Sequence, residues 1–233
     1  FYDLVNDVGA YKPASELIIG LPGETPESWL ETFQKELEYK TGFTRAYKLQ
    51  VLVNTPMNEK SFREKYKVKT RKFYIPQNLI LQRLQAYHKN RKDSFETFSD
   101  DDTYYEFETI TECYSYNLEG LYEMYSIWHW YSLLSNSQLV FDEMRENSLS
   151  IQEQYYSFKE NLNKMPLFSR IWDWHKRSFT EIFYSDSPIV NSVENVNYIV
   201  KKPKYLVEVY NNLDQALSEL ETLYPKVKKT GIM

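Results

Sequence analysis

One cysteine, Cys113, is all that this chain of 233 residues contains. An intrachain disulfide is excluded, and so is any metal or cluster centre that draws several thiolates from this chain alone. The scarcity fits a reducing compartment, so a cytoplasmic location is expected. Histidine is almost as rare. His88, His129 and His175 stand far apart, and none has a second ligand three or four positions away, as a helical metal site requires. His129 lies between Trp128 and Trp130, and His175 follows Trp172 and Trp174, so both are expected to pack against indole rings in a helical core. No run approaches the ~20 apolar residues of a membrane span, and the first residues lack the basic-then-apolar pattern of a signal peptide. A net charge of −5 gives no general pull toward nucleic acid.

Aromatic residues are abundant. They make up 17% of the chain, including 21 Tyr and 13 Phe, more than a core needs, which implies many tyrosines half-buried with their hydroxyls toward water. Compositional bias and an aromatic binding surface both account for the excess. With 42% hydrophobic and 26% charged residues, the chain has the composition of a folded globular protein.

Charge is unevenly spread. Residues 60–72 carry Lys60, Arg63, Lys65, Lys67, Lys69, Arg71 and Lys72 against the single acid Glu64, with Phe62, Tyr66 and Phe73 interleaved. Residues 93–112 reverse the sign after Lys92, from Asp93 to Glu112. The two segments are expected either to occupy different solvated faces or to lean on each other. Basic residues among aromatics can bind single-stranded nucleic acid. The acidic balance and the lack of a surrounding binding module argue against it here.

The local patterns alternate between strand and helix. Leu17–Ile19 and Val51–Val53 read as strands covered on both faces, and Trp29, Leu30, Phe33 and Leu37 form a helical stripe between them that Gly42 is placed to end. This is the βαβ pattern of a parallel sheet. Alternation from Tyr104 to Cys113 predicts another strand, in which Cys113 is a packing residue. Asn117 is placed to cap a helix through about Leu134. Further helices are expected over Ile151–Asn163, Ile171–Tyr184 and Tyr205–Tyr224, with breaks at Pro166, Pro188 and Pro203. The basic residues 226–229 read as a solvated tail.

The most informative stretch is Glu16-Leu17-Ile18-Ile19-Gly20-Leu21-Pro22-Gly23-Glu24-Thr25. Two glycines permit close approach and unusual φ, Pro22 stiffens the loop between them, Thr25 can cap a helix, and Pro26 and Glu27 suit its first turn. A phosphate-binding loop is excluded because no Lys-Ser or Lys-Thr pair follows Gly23, and a dinucleotide fingerprint because the third glycine is absent. A tight strand-to-helix turn without a ligand is the competing reading.

This stretch resembles the fifth strand and following loop of the radical S-adenosylmethionine (radical SAM) barrel, particularly its cobalamin-dependent and related subgroups. Ala46–Met57, with Asn54-Thr55-Pro56-Met57, is similar to the sixth strand and its exit loop. The resemblance covers about residues 1–70, and Phe1–Gly9 resembles the end of a barrel helix. It implies a fold of the α/β class, with a partial (β/α) barrel segment over residues 1–62, a charged connector over 63–103 and a mainly α-helical C-terminal domain over 104–233.

By the same resemblance, Ile18 would face the adenine of S-adenosylmethionine, Gly20, Pro22, Gly23 and Glu24 would shape the loop, and Val53 and Asn54 would flank the adenine edge. Biotin-synthase-like relatives place the acid directly after a single glycine. Pro22 lengthens the loop here, which leaves the contact of Glu24 open. The family's [4Fe-4S] cluster uses three cysteines in one loop upstream of these motifs, so this chain would be catalytically incomplete. Its cluster would come from a missing N-terminal half or a separate subunit, with cobalamin a further cofactor in full-length relatives. The substrate would be a small molecule or a compound of a class that the resemblance leaves open. A non-enzymatic interaction module derived from the same scaffold is the alternative.

Overall fold

The computed structural model describes residues 14–39, 43–79, 104–136, 140–200 and 204–225. Its first unit is strand β1 (Ala14–Ile19), helix α1 (Pro26–Glu38) and strand β2 (Phe43–Lys48), with β1 and β2 paired in parallel from Ala14 opposite Phe43 to Ile19 opposite Lys48. The start of α1 is set by a reciprocal cap. Ser28 N donates to Thr25 Oγ1 at 3.2 Å, and Thr25 N donates to Ser28 Oγ at 2.9 Å. The expected stripe of Trp29, Leu30, Phe33 and Leu37 is buried. Along β1, Ser15 and Ile19 are buried while Ala14, Glu16 and Ile18 on the opposite face are exposed.

The basic segment is not a featureless connector. It forms helix α2 (Lys60–Lys65) and strand β3 (Lys69–Pro76), and β3 pairs antiparallel with β4 (Tyr104–Glu112). β3 escaped prediction because its first half is polar; only Phe73 and Ile75 enter the core. The backbone ladder to β4 and the burial of Phe73 and Ile75 hold it, and opposite charges pair across the ladder. Lys69 meets Glu112 at 2.8 Å, Lys72 meets Glu106 at 2.7 Å, and Arg63 of α2 meets Glu108 at 2.9 Å. The basic residues therefore lean on the acidic ones in β4, and the pairing joins residues on both sides of position 103. Acidic residues 93–103, together with Gly42, His88 and residues 226–229, lie outside the described residues. The two sheets meet where Val51 N donates to Glu108 O at 2.8 Å.

Helices dominate the remainder. They are α3 (Leu118–Tyr131), α4 (Phe141–Glu146), α5 (Ile151–Asn161), α6 (Pro166–Phe183), α7 (Val193–Val200), α8 (Lys204–Asn211) and α9 (Leu213–Leu220). Asn117 caps α3 through Gly120 N at 2.9 Å, and α3 runs on into a wider π turn over Ser132–Asn136. Ser150 and Glu153 form a second reciprocal cap at α5. The helix expected from Ile171 begins five residues earlier, because Pro166 occupies the first turn, where its missing N–H costs nothing. The single helix expected over Tyr205–Tyr224 is two, divided at Asn212 with ψ 40°.

The core is aromatic. Phe33 of α1 stacks on Tyr131 of α3 at 4.2 Å, which seats the helical part on the outer face of the βαβ unit. Among the described residues there is no closed barrel, and no helix is long and apolar enough to cross a membrane.

Candidate functional site

The loop after β1 takes the shape its glycines allow. Gly20 has φ +97° and Gly23 φ +106°, values that residues with a Cβ rarely adopt. Glu24 organises the turn from within. Its Oε2 accepts Gly20 N at 3.1 Å, Leu21 N at 3.2 Å and Trp29 Nε1 at 2.9 Å. Burial raises the pKa of this carboxyl, against the pull of the three N–H donors.

The chain segment before α3 closes over the same loop. Tyr116 donates its hydroxyl to Gly20 O at 2.5 Å, and Gly23 N donates to Ser115 Oγ at 2.9 Å. Burial pushes the Tyr116 hydroxyl well above the usual tyrosine range, so it stays protonated and keeps donating. Both glycine amides are thus satisfied by protein. A ligand here would meet side chains rather than a nest of free backbone N–H groups.

Those side chains face outward. Ile18 is 45% exposed and Val53 81%, and Asn54 is exposed beside it. Pro22 is half-buried. Because β1 and β2 are parallel, the Gly20–Glu24 loop and the Val53–Asn54 loop leave the sheet at the same end. In α/β proteins that end carries the ligand. Around Ile18 the open sheet face is polar: Tyr47 donates to Glu16 Oε1 at 3.0 Å, and Arg45 lies 3.7 Å from Glu16. The loop after β2 is held by its own turns, with Asn58 Nδ2 donating to Val53 O at 3.0 Å.

An iron-sulfur cluster does not fit these residues. Cys113 lies beside Ser115, with Sγ 3.2 Å from Oγ, and among the described residues no group of three or more His, Cys, Asp or Glu could hold a metal.

A second constellation gathers around Lys48. Lys48, at the C-terminal end of β2, places Nζ 3.8 Å from the ring centre of Tyr198 on α7 and 5.1 Å from that of Tyr125 on α3. His129 of α3 and His175 of α6 touch each other, with ring centres 4.2 Å apart. Ser126 donates its hydroxyl to Tyr122 O at 2.9 Å, so at 2.9 Å from His175 it accepts from Nε2–H. Nδ1 of His175 is then the acceptor for the Tyr198 hydroxyl at 3.1 Å. Burial holds both imidazoles well below the usual histidine range, with the nearby Lys48 charge acting in the same direction. Burial also lowers Lys48 to about 7. As expected, the histidines contact indoles, His129 edge-on to Trp174 and His175 edge-on to Trp172.

The only sequence signal for this cluster was parity. Lys48 shares the inward face of β2 with the buried Thr44 and Ala46. No family model matches this chain, and no curated protein does.

Proposed function

We propose that this chain is the C-terminal portion of a radical SAM enzyme, contributing the adenosine-side wall of the S-adenosylmethionine site and part of a substrate-side cover, and catalytically incomplete alone. One observation carries the reading. Among the described residues, the two-stranded parallel sheet leaves one face open, with Ile18 exposed near the C-terminal end of β1, and neither strand has a second neighbour in its sheet. Parallel strands occur almost only with both faces covered and neighbours on each side. A polypeptide that completes the sheet is the economical solution.

In that role Ile18 would offer an apolar surface to the adenine ring, Val53 and Asn54 would flank its edge, and Gly20, Pro22, Gly23 and Glu24 would hold the loop in shape. The turn at residues 114–116, which clamps the loop through Tyr116 and Ser115, supports a cover supplied by the helical part. In the family, bound S-adenosylmethionine supplies hydrogen abstraction from the substrate. The cluster that initiates this would belong to other polypeptide, and whether cobalamin joins it would depend on a further domain. The same open face supports a non-enzymatic module that holds a protein partner.

The test is the native species isolated anaerobically from its source. This reading expects the chain to be joined to, or complexed with, a three-cysteine segment, and S-adenosylmethionine to be cleaved to methionine and 5′-deoxyadenosine. Ile18→Asp should weaken S-adenosylmethionine binding on the order of tenfold, about what losing one well-packed apolar contact costs. A native species with neither a cluster nor affinity for S-adenosylmethionine would leave only the partner-holding module.

A further inference from the structure

Helix α7 has little to stand on by itself. It is 8 residues long, a length at which an isolated helix is marginal in water. Tyr198 is the side chain it sends into the core, with Val196 and Ile199 buried alongside. The Tyr198 ring contacts Tyr125 and His129 of α3, Trp174 and His175 of α6, and the amino group of Lys48.

The hydrogen bond that fixes Tyr198 has one polarity. Nε2–H of His175 is committed to Ser126, so Nδ1 accepts the Tyr198 hydroxyl only while the imidazole is neutral. A protonated ring presents N–H on both nitrogens, and the phenol would have to turn its own proton away. The surroundings also oppose a second charge. His175 is 1% exposed, and its ring centre lies 4.2 Å from that of His129. The other titratable groups about the pair are Lys48 from β2, Tyr122 and Tyr125 from α3, and Tyr198 from α7. Tyr122, stacked on His175 at 5.2 Å, offers a ring face but no counter-charge. The acids of these helices are engaged elsewhere or exposed. Glu123 of α3 pairs with Lys159 at 2.8 Å, Glu181 of α6 accepts from Asn195 at 3.1 Å, and Glu194 of α7 lies 3.7 Å from Arg177. Glu119 of α3 and Asp173 of α6 are exposed.

We propose that α7 is an acid-released flap: a proton on His175 unseats Tyr198 and frees the helix while α3 stays folded. The neutral imidazole is the closed state, so the flap is shut at neutral pH and opens as pH falls below the usual histidine range. The depressed titration of both imidazoles agrees. Release uncovers the inward side of β2 at Lys48. The next residue, Leu49, donates its N–H to Ile19 O at 3.0 Å beside the Gly20 turn, so the flap borders the candidate site. Opening requires no ligand in that turn.

Hydrogen exchange of the whole chain, read by mass spectrometry from about pH 7.5 to 4.5 and corrected for the intrinsic pH dependence of exchange, tests this. Once His175 begins to protonate, protection over Val193–Val200 should fall by up to about tenfold per pH unit relative to Leu118–Tyr131. His175→Gln can donate to Ser126 and accept from Tyr198 without taking up a proton, and should hold the protection of α7 level. A second variant, Glu181→Gln with Glu194→Gln, keeps both histidines and should retain the full slope even if the first fails to fold. Protection of α7 that follows α3 at every pH would overturn the proposal. So would a slope that survives His175→Gln or vanishes with the glutamate pair, and either result would leave His175 a packing group.

Discussion

Lys48 and Glu24 show how far a residue's surroundings can depart from its place in the alphabet. Glu24, expected to shape the glycine loop with its own contact left open, accepts three N–H groups of its own turn. Lys48 looked like one more basic residue and is enclosed by Tyr125, Tyr198, His129 and His175 from three helices. Its pH dependence has a definite sign. The lysine titrates near 7 in the fold against 10.5 for an unperturbed side chain. The unfolded chain therefore binds more protons between those values, and this group makes stability rise with pH across that window. Below about 7 its cost is constant, while the two depressed histidines add a loss of stability as pH falls below 6.5. Lys48→Met should stabilise the chain at pH 7 by on the order of 2 kcal/mol, discounted for remaining solvent contact. In urea unfolding of both proteins, that advantage should shrink steadily toward pH 9.5. A constant difference would mean that the lysine is not desolvated.

Among the elements, α6 depends most on distant parts of the chain. Its N-terminus has no local cap; Glu219 of α9 accepts from Leu167 N at 2.9 Å and Phe168 N at 3.2 Å. Its other end is held by Arg71 of β3, whose guanidinium donates to the carbonyls of Phe183, Ser185 and Ser187. A carboxylate at the positive end and a guanidinium at the negative end both complement the helix dipole. Glu219→Ala would leave buried N–H groups without an acceptor and should cost about 2–3 kcal/mol, measured as a shift in the urea midpoint. Glu219→Gln, which retains one acceptor, should cost clearly less. By contrast α1, α3 and α5 carry caps within three residues, and those starts were legible beforehand.

For the molecule as a whole, the open β1–β2 sheet is the liability. Among the described residues the parallel sheet has two strands only, and it presents an apolar spot at Ile18 to any neighbour. The isolated chain should elute from size-exclusion chromatography as concentration-dependent oligomers. Ile18→Lys should shift it toward monomer without altering its far-UV dichroism. A monomer at all concentrations would mean that the described sheet needs no covering, and would weaken the case for a completing polypeptide.

The first strand, the capped helices and the glycine loop could be read from the chain because their causes are short-range: alternation of two, a stripe of three to four, a polar side chain three residues before an amide. The second strand was not placed correctly: it runs over Phe43–Lys48, while Val51–Val53, expected as a strand covered on both faces, is loop with Val53 exposed. The glycines at positive φ were foreseeable for the same reason, since only local sterics set that preference. The strand Lys69–Pro76, the capping of α6 and the Lys48 enclosure have causes separated by tens of residues. A largely polar segment becomes a strand when a distant partner strand arrives to complete its backbone ladder and cover its few apolar residues. An ordinary lysine becomes a perturbed amine when tyrosines from two helices close around it. Burial and pairing across such distances exist only once the chain has packed, so no local pattern could announce them.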